Sequence, residues 1–297
     1  ESHADVGDKA NDALRINGGQ LRCKVFGEGG NLGVTQKGRV EFSLAGGACN
    51  TDFIDNAAGV DCSDHEVNIK ILLNELVVCG DMTEKQRNLL LVKMTAEVAE
   101  MVLDNNYSQT QAISVAQDEV GYRIGEYRRL MTALENDGRL NRQLEFLPED
   151  DAIAERNAPS VFLTRPELSV LISYVKAGLK EDLANSDVPE DAYVASIVEA
   201  AFPPLLRKKF KKQIYSHRLK REIIATQVAN DMVDNMGISF CHRLVESTGS
   251  SVAHVSKAYI AARDIFEFDF SWRQIRALDH KIPAKLQIEM MSAVMRR

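Results

Sequence analysis

Near residue 63 the spacing of apolar residues changes once, and that change limits what the chain can fold into. Before it, glycines separate short segments with strand character: Leu21 to Phe26, Gly38 to Leu44 and Thr51 to Ile54. After it, apolar residues recur with the helical period. Ser63-x-x-Glu66, Thr83-x-x-Gln86, Ser108-x-x-Gln111 and Thr164-x-x-Glu167 each fit a capping box, in which a side-chain oxygen and a carboxylate or amide satisfy the free N–H groups that open a helix. The expected fold class is therefore mixed and mostly α, a partial Rossmann-like α/β segment followed by an α-helical domain.

Within the helical part, Leu168, Leu171, Ile172, Val175 and Leu179 share one stripe, which predicts a core-facing helix. Ile224, Val228 and Met232 repeat every four residues inside a segment from Pro204 to Met236, which predicts one long, bent helix stopped by Gly237. Asp137-Gly138 reads as a turn and Phe146 to Pro159 as a loop. Two domains are expected, 1–159 and 160–297.

A net charge of −7 disfavours a chain that works by neutralising phosphates, so nucleic acid is not an expected partner. The five cysteines are odd in number and never form a Cys-x-x-Cys pair, which suggests neither a disulfide framework nor a zinc cage and fits a reducing cytoplasm. No run approaches the ~20 apolar residues of a spanning helix, and the N-terminal residues lack a signal-peptide pattern. The chain opens on Glu1 rather than a methionine and reads as a piece of a longer polypeptide.

Two stretches could carry chemistry. Gly27-Glu28-Gly29-Gly30-Asn31-Leu32-Gly33 follows a strand-like segment and could let a ligand approach the backbone closely, or could be a plain tight turn. As a dinucleotide fingerprint it is poor, because the third glycine is misplaced and Thr35 to Gly38 reads as leading into a strand, leaving no helix N-terminus for a pyrophosphate. Asn56-Ala57-Ala58-Gly59-Val60-Asp61-Cys62-Ser63 runs into a helix whose first N–H groups could hold a carboxylate, with Ser63 adding a hydroxyl. The plain alternative is that Ser63 only caps that helix.

Asp61, Asp64, His65 and Glu66 invite a metal reading, but acids in a first turn are expected from the helix dipole alone, so no metal is expected. The cations between Arg207 and Arg221 read as solvated surface or as partners of the chain's many acids. His217 and His242 read as structural, and Trp272 with Phe266, Phe268 and Phe270 as packing of the terminal segment.

Three N-terminal stretches, Asp8 to Arg15, Gly27 to Gln36 and Asn50 to Lys70, together resemble the large class of NAD-dependent glutamate dehydrogenases. The helical stretches Arg165 to Val170 and His217 to Thr226 look like the C-terminal region of that class. The resemblance implies oxidative deamination of L-glutamate to 2-oxoglutarate and ammonium, with hydride transfer to NAD. In the smaller enzymes, Glu28-Gly29-Gly30-Asn31 is similar to a loop beside the nicotinamide, and Asn56 to Val60 to a second turn there. These imply cofactor-binding roles for Glu28, Gly29, Gly30, Asn31 and Asn56. They imply substrate-binding roles for Gly59, Val60 and Ser63, the serine contacting the glutamate side-chain carboxylate. Asp64-His65 replaces aromatic residues of the smaller enzymes, and Gly30 and Ala58 replace an alanine and a glycine. The family's catalytic lysine, aspartate and glycine-rich phosphate loop have no match, so no catalytic residue is expected here and an upstream remainder of the polypeptide would supply them. A homo-oligomer is also expected. The alternative is a non-catalytic oligomerisation or regulatory module.

Overall fold

The computed structural model describes residues 2–157 and 162–296, with Asn157 described by its backbone only. It is 72% helical, and among the described residues the one β feature is an isolated bridge, so the chain is mostly α. The described residues fall into two compact units: one of residues 1–56 with 119–171, the other of 57–118 with 172–297.

In the first unit, the strand expected over residues 21–26 is reduced to a single parallel bridge from Val25 to Ala48, with a bend at Lys24 just before it. Phe26 N–H donates to Ala48 O at 2.9 Å and Ala48 N–H to Lys24 O at 2.9 Å. The other two expected strands are helical. Gly38 to Leu44 lies within the helix Gln36–Leu44, because Thr35 caps it by accepting from Gly38 N–H at 3.2 Å. The apparent alternation of Arg39, Val40, Glu41 and Phe42 instead buries Arg39 and Phe42, three residues apart on one helical face. Thr51 precedes a single turn, Asp52–Asp55, that buries Ile54. Two glycines are fixed by close packing: a Cβ on Gly18 would stand 2.1 Å from Gly38 O, and one on Gly47 2.3 Å from the Phe42 ring. The expected loop from Phe146 carries a helix, Asp150–Asn157, while 158–161 lie outside the described residues.

In the second unit, the helix Ala57–Val78 begins six residues before the expected cap at Ser63. Ser63 and Ser108 both sit inside helices and donate to carbonyls four residues back, Gly59 O at 3.2 Å and Asp104 O at 2.8 Å. Of the four capping boxes, Thr83 is a genuine cap, its N–H and Gln86 N–H each reaching the other's side chain. In the first unit Thr164 donates its N–H to Glu167 at 2.7 Å in the same way. The segment from Pro204 is three helices, Pro204–Lys209, Lys211–Tyr215 and Lys220–Met236, rather than one bent helix. The backbone leaves helical geometry at Phe210, and the last break is occupied by buried His217, whose Nδ1 accepts from Leu219 N–H at 3.1 Å. Ile224, Val228 and Met232 are buried as their spacing predicts, and Gly237 ends the helix at φ +96°. The 168–179 stripe is likewise buried throughout. Phe268 and Trp272 pack with Ile275, Met291, Val294 and Val115, whereas Phe266 and Phe270 remain exposed.

Candidate functional site

The glycine-rich loop is held from below by charge. Glu28 is buried and accepts four hydrogen bonds: Gly33 N–H at 2.7 Å, Val34 N–H at 3.0 Å, and Arg39 Nε and Nη2 at 2.9 and 2.7 Å. Arg39, also buried, reaches Asp52 at 3.0 Å. Asp52 accepts from Leu32 N–H, and Asp55 from Glu28 N–H and from Asn50 Nδ2. Leu32 has φ +61°, a left-handed conformation that costs a branched residue about 1 kcal/mol or more, and the Asp52 bond fixes its N–H there. Buried charges persist only when paired and fully hydrogen-bonded, as these are.

Above this base, the loop presents open backbone. A Cβ added at Gly27, Gly29 or Gly30 would meet no atom within 4 Å, so those glycines are not demanded by packing. Asn31 is exposed and accepts from Asn56 Nδ2 at 2.9 Å. That bond spends one half of each amide and leaves Asn31 Nδ2 as a donor and Asn56 Oδ1 as an acceptor. The loop also leads into the capped helix Gln36–Leu44, so a helix N-terminus follows the glycines where the sequence suggested a strand.

Of the expected cofactor residues, Glu28, Gly29, Gly30, Asn31 and Asn56 thus share one unit, with the Glu28 carboxylate fully engaged by the protein itself. Gly59, Val60 and Ser63 occupy the opening turns of the helix Ala57–Val78 in the other unit, where Val60 and Ser63 are exposed. Ser63 is not a cap. Sequence reasoning missed Arg39, Asp52 and Asp55, because a strand reading of Gly38 to Leu44 does not bring Arg39 to Glu28 and Asp52, and nothing in the spacing joins Asp55 to the backbone of Glu28.

Of the acids around His65, only Asp61 comes near it, 3.7 Å from Nε2 and one turn earlier on the helix. His65 is buried, its Nδ1 donating to Ala201 O at 3.0 Å, while Glu66 pairs with Lys70 on the surface. Among the described residues no group of three or more His, Cys, Asp or Glu is placed to hold a metal ion. The basic cluster is partly consumed by acids: Lys211 by Glu199, Arg218 by Glu75 and Arg221 by Glu190. His217 donates from Nε2 to Asn68 O at 3.1 Å and is the neutral tautomer, with burial pushing its pKa below the usual 6.5. Among the described residues, no helix is long and apolar enough to cross a membrane.

Residues 1–116 match the model for the bacterial NAD-glutamate dehydrogenase catalytic domain, and residues 161–297 match that for the glutamate dehydrogenase C-terminal region. The chain is 61% identical over 296 residues to the NAD-specific glutamate dehydrogenase of Pseudomonas aeruginosa and 55% identical over 296 residues to that of Halomonas elongata. Each alignment covers 100% of this chain and 18% of the relative. Against the protein of the same name from Mycobacterium tuberculosis, identity is 45% over 277 residues, covering 93% of this chain and 17% of the relative. The chain thus spans about 18% of the length of the relatives it matches first. With both family models matched in order and identity this high along the whole chain, the chain belongs to the bacterial NAD-glutamate dehydrogenase family.

Proposed function

We propose that this chain supplies the nicotinamide end of the dinucleotide site, and part of the glutamate site, of an NAD-dependent glutamate dehydrogenase that converts L-glutamate to 2-oxoglutarate and ammonium in the cytoplasm. The observation that carries this reading is the Asn31–Asn56 pair. Its free donor and acceptor complement a primary carboxamide, the group that the nicotinamide ring bears, and the open space over Gly29 and Gly30 accommodates a flat ring. Bound there, NAD would accept the hydride from the Cα of glutamate.

The chain's own groups orient rather than react. Asn31 and Asn56 would fix the carboxamide, and the Glu28, Arg39 and Asp52 network would hold the loop in register. Ser63, with Gly59 and Val60 beside it, would receive the substrate carboxylate. The lysine and aspartate that such chemistry uses for proton transfer would come from elsewhere in the longer polypeptide. The parallel bridge from Val25 to Ala48 and the Gln36–Leu44 helix between its two partners support reading residues 21–48 as one β-α-β piece of a Rossmann-like fold. The family matches, over 1–116 and 161–297, support a division into 1–159, the end of the catalytic domain with its following helices, and 160–297, a C-terminal helical domain.

The test uses the complete enzyme. Asn31→Ala should raise the KM for NAD and Ser63→Ala the KM for glutamate, each with little effect on the other substrate. The same KM values in both variants as in the parent would overturn the reading in favour of a non-catalytic module.

A further inference from the structure

The helix Glu84–Asn136 carries two apolar stripes in its first half, and only one is used by its own unit. Leu90, Met94 and Val102 are buried, with Val98 and Met101 half-buried on the same face. On the opposite face Leu89, Val92 and Leu103 are 57%, 76% and 65% exposed, and Ala96 and Ala99 between them are exposed as well. The order Leu89, Val92, Ala96, Ala99, Leu103 steps by three, four, three and four residues, the a and d spacing of a coiled-coil seam, which a surface helix of a self-contained domain does not need.

We propose that this seam is an interface between two copies of the chain, packed as an antiparallel helix pair about a two-fold axis between Ala96 and Ala99. Three features single out a second copy in that orientation. Four of the five positions are nearly palindromic, so the antiparallel pairing sets Val92 against Leu103 of the partner subunit on either side and alanine against alanine in the middle, with Leu89 lying beyond this palindrome. Alanines there let the axes approach at the short end of the ~8–10 Å range of helix pairs. The flanking e positions are Lys93 and Glu100, both exposed, and antiparallel pairing places each beside its opposite charge on the other copy. A parallel pair would instead face Lys93 with Asn88 and Glu100 with Thr95, and gain nothing from either charge. An isologous contact of this kind closes on itself and makes a dimer. The inference is independent of the reading of the dinucleotide site.

Sedimentation of the purified chain over a concentration series tests it. The expected result is a reversible monomer–dimer equilibrium. Lys93→Glu and Glu100→Lys should each weaken it about tenfold, since two attractive contacts become repulsive, and the double variant should restore it. Ala96→Glu should abolish the dimer while leaving helical content unchanged, and should leave Tm unchanged at concentrations where the parent is a monomer, because that side chain is exposed in the single chain. A monomer at every concentration would overturn the proposal and assign the seam to another part of the longer polypeptide. Single variants without effect, or a double variant as weak as the singles, would also overturn it.

Discussion

Asn56 donates its side-chain amide to Asn31 at 2.9 Å, joining two residues 25 positions apart and leaving each amide one unused hydrogen-bonding atom. If that pair reads a carboxamide, its members act as a unit. In the complete enzyme Asn31→Ala and Asn56→Ala should each raise the KM for NAD, by about 1–2 kcal/mol of lost binding. The double variant should lose clearly less than the sum, because either single change already breaks the pair. Strict additivity in the double-mutant cycle would show that the two amides act separately.

Arg39 is the sole cation between the buried carboxylates of Glu28 and Asp52 among the contacts described. Arg39→Met should destabilise the first unit by about 3–5 kcal/mol, since truncation leaves two acids buried without compensation. Denaturant melts would register this directly. A loss below about 1 kcal/mol would mean that water reaches the carboxylates and that the loop is held by other means.

Ser63 is exposed and already satisfies its hydroxyl on Gly59 O. Ser63→Ala should therefore change the unfolding free energy within the ordinary scatter of surface substitutions, about ±0.5 kcal/mol, whatever its role in binding. In the complete enzyme the glutamate KM should rise by about 1–3 kcal/mol of lost interaction with a charged group. A large loss of stability with no change in KM would make Ser63 a purely structural residue.

His217 predicts a pH dependence. Its folded pKa lies below the unfolded value of about 6.5, so the folded state resists its protonation. Its contribution is fully present above that value and is lost as pH falls from about 6.5 through the folded pKa. Protonation would also remove the acceptor that Nδ1 offers to Leu219 N–H. Unfolding free energies measured across this range should decline toward acid, and the slope should flatten in His217→Gln. An identical slope in the variant would assign the dependence to other groups.

Much of the helical architecture was legible because burial on one face imposes a period that residues 168–179 and 224–232 display openly. Thr83 with Gln86 and Thr164 with Glu167 likewise announced their helix starts through local bonding alone. The same local rule failed at Ser63 and Ser108, since a serine four residues after a carbonyl bonds backwards as readily as it caps. It failed at Gly38 to Leu44 too, where seven residues fit either period and the Thr35 cap decided. The glycine loop and the Asn56 turn were visible as motifs. What joins them was not, because hydrogen bonds depend on distances set by the folded backbone rather than by spacing in the chain. Sequence alone therefore determined the helical stripes, the family resemblance and the residue types at the site. Tertiary structure decided that Glu28 is spent on Arg39 and the loop, that Asn31 meets Asn56, and that Leu89 to Leu103 faces outward. Each of those depends on which groups the fold brings within about 3 Å or hides from water.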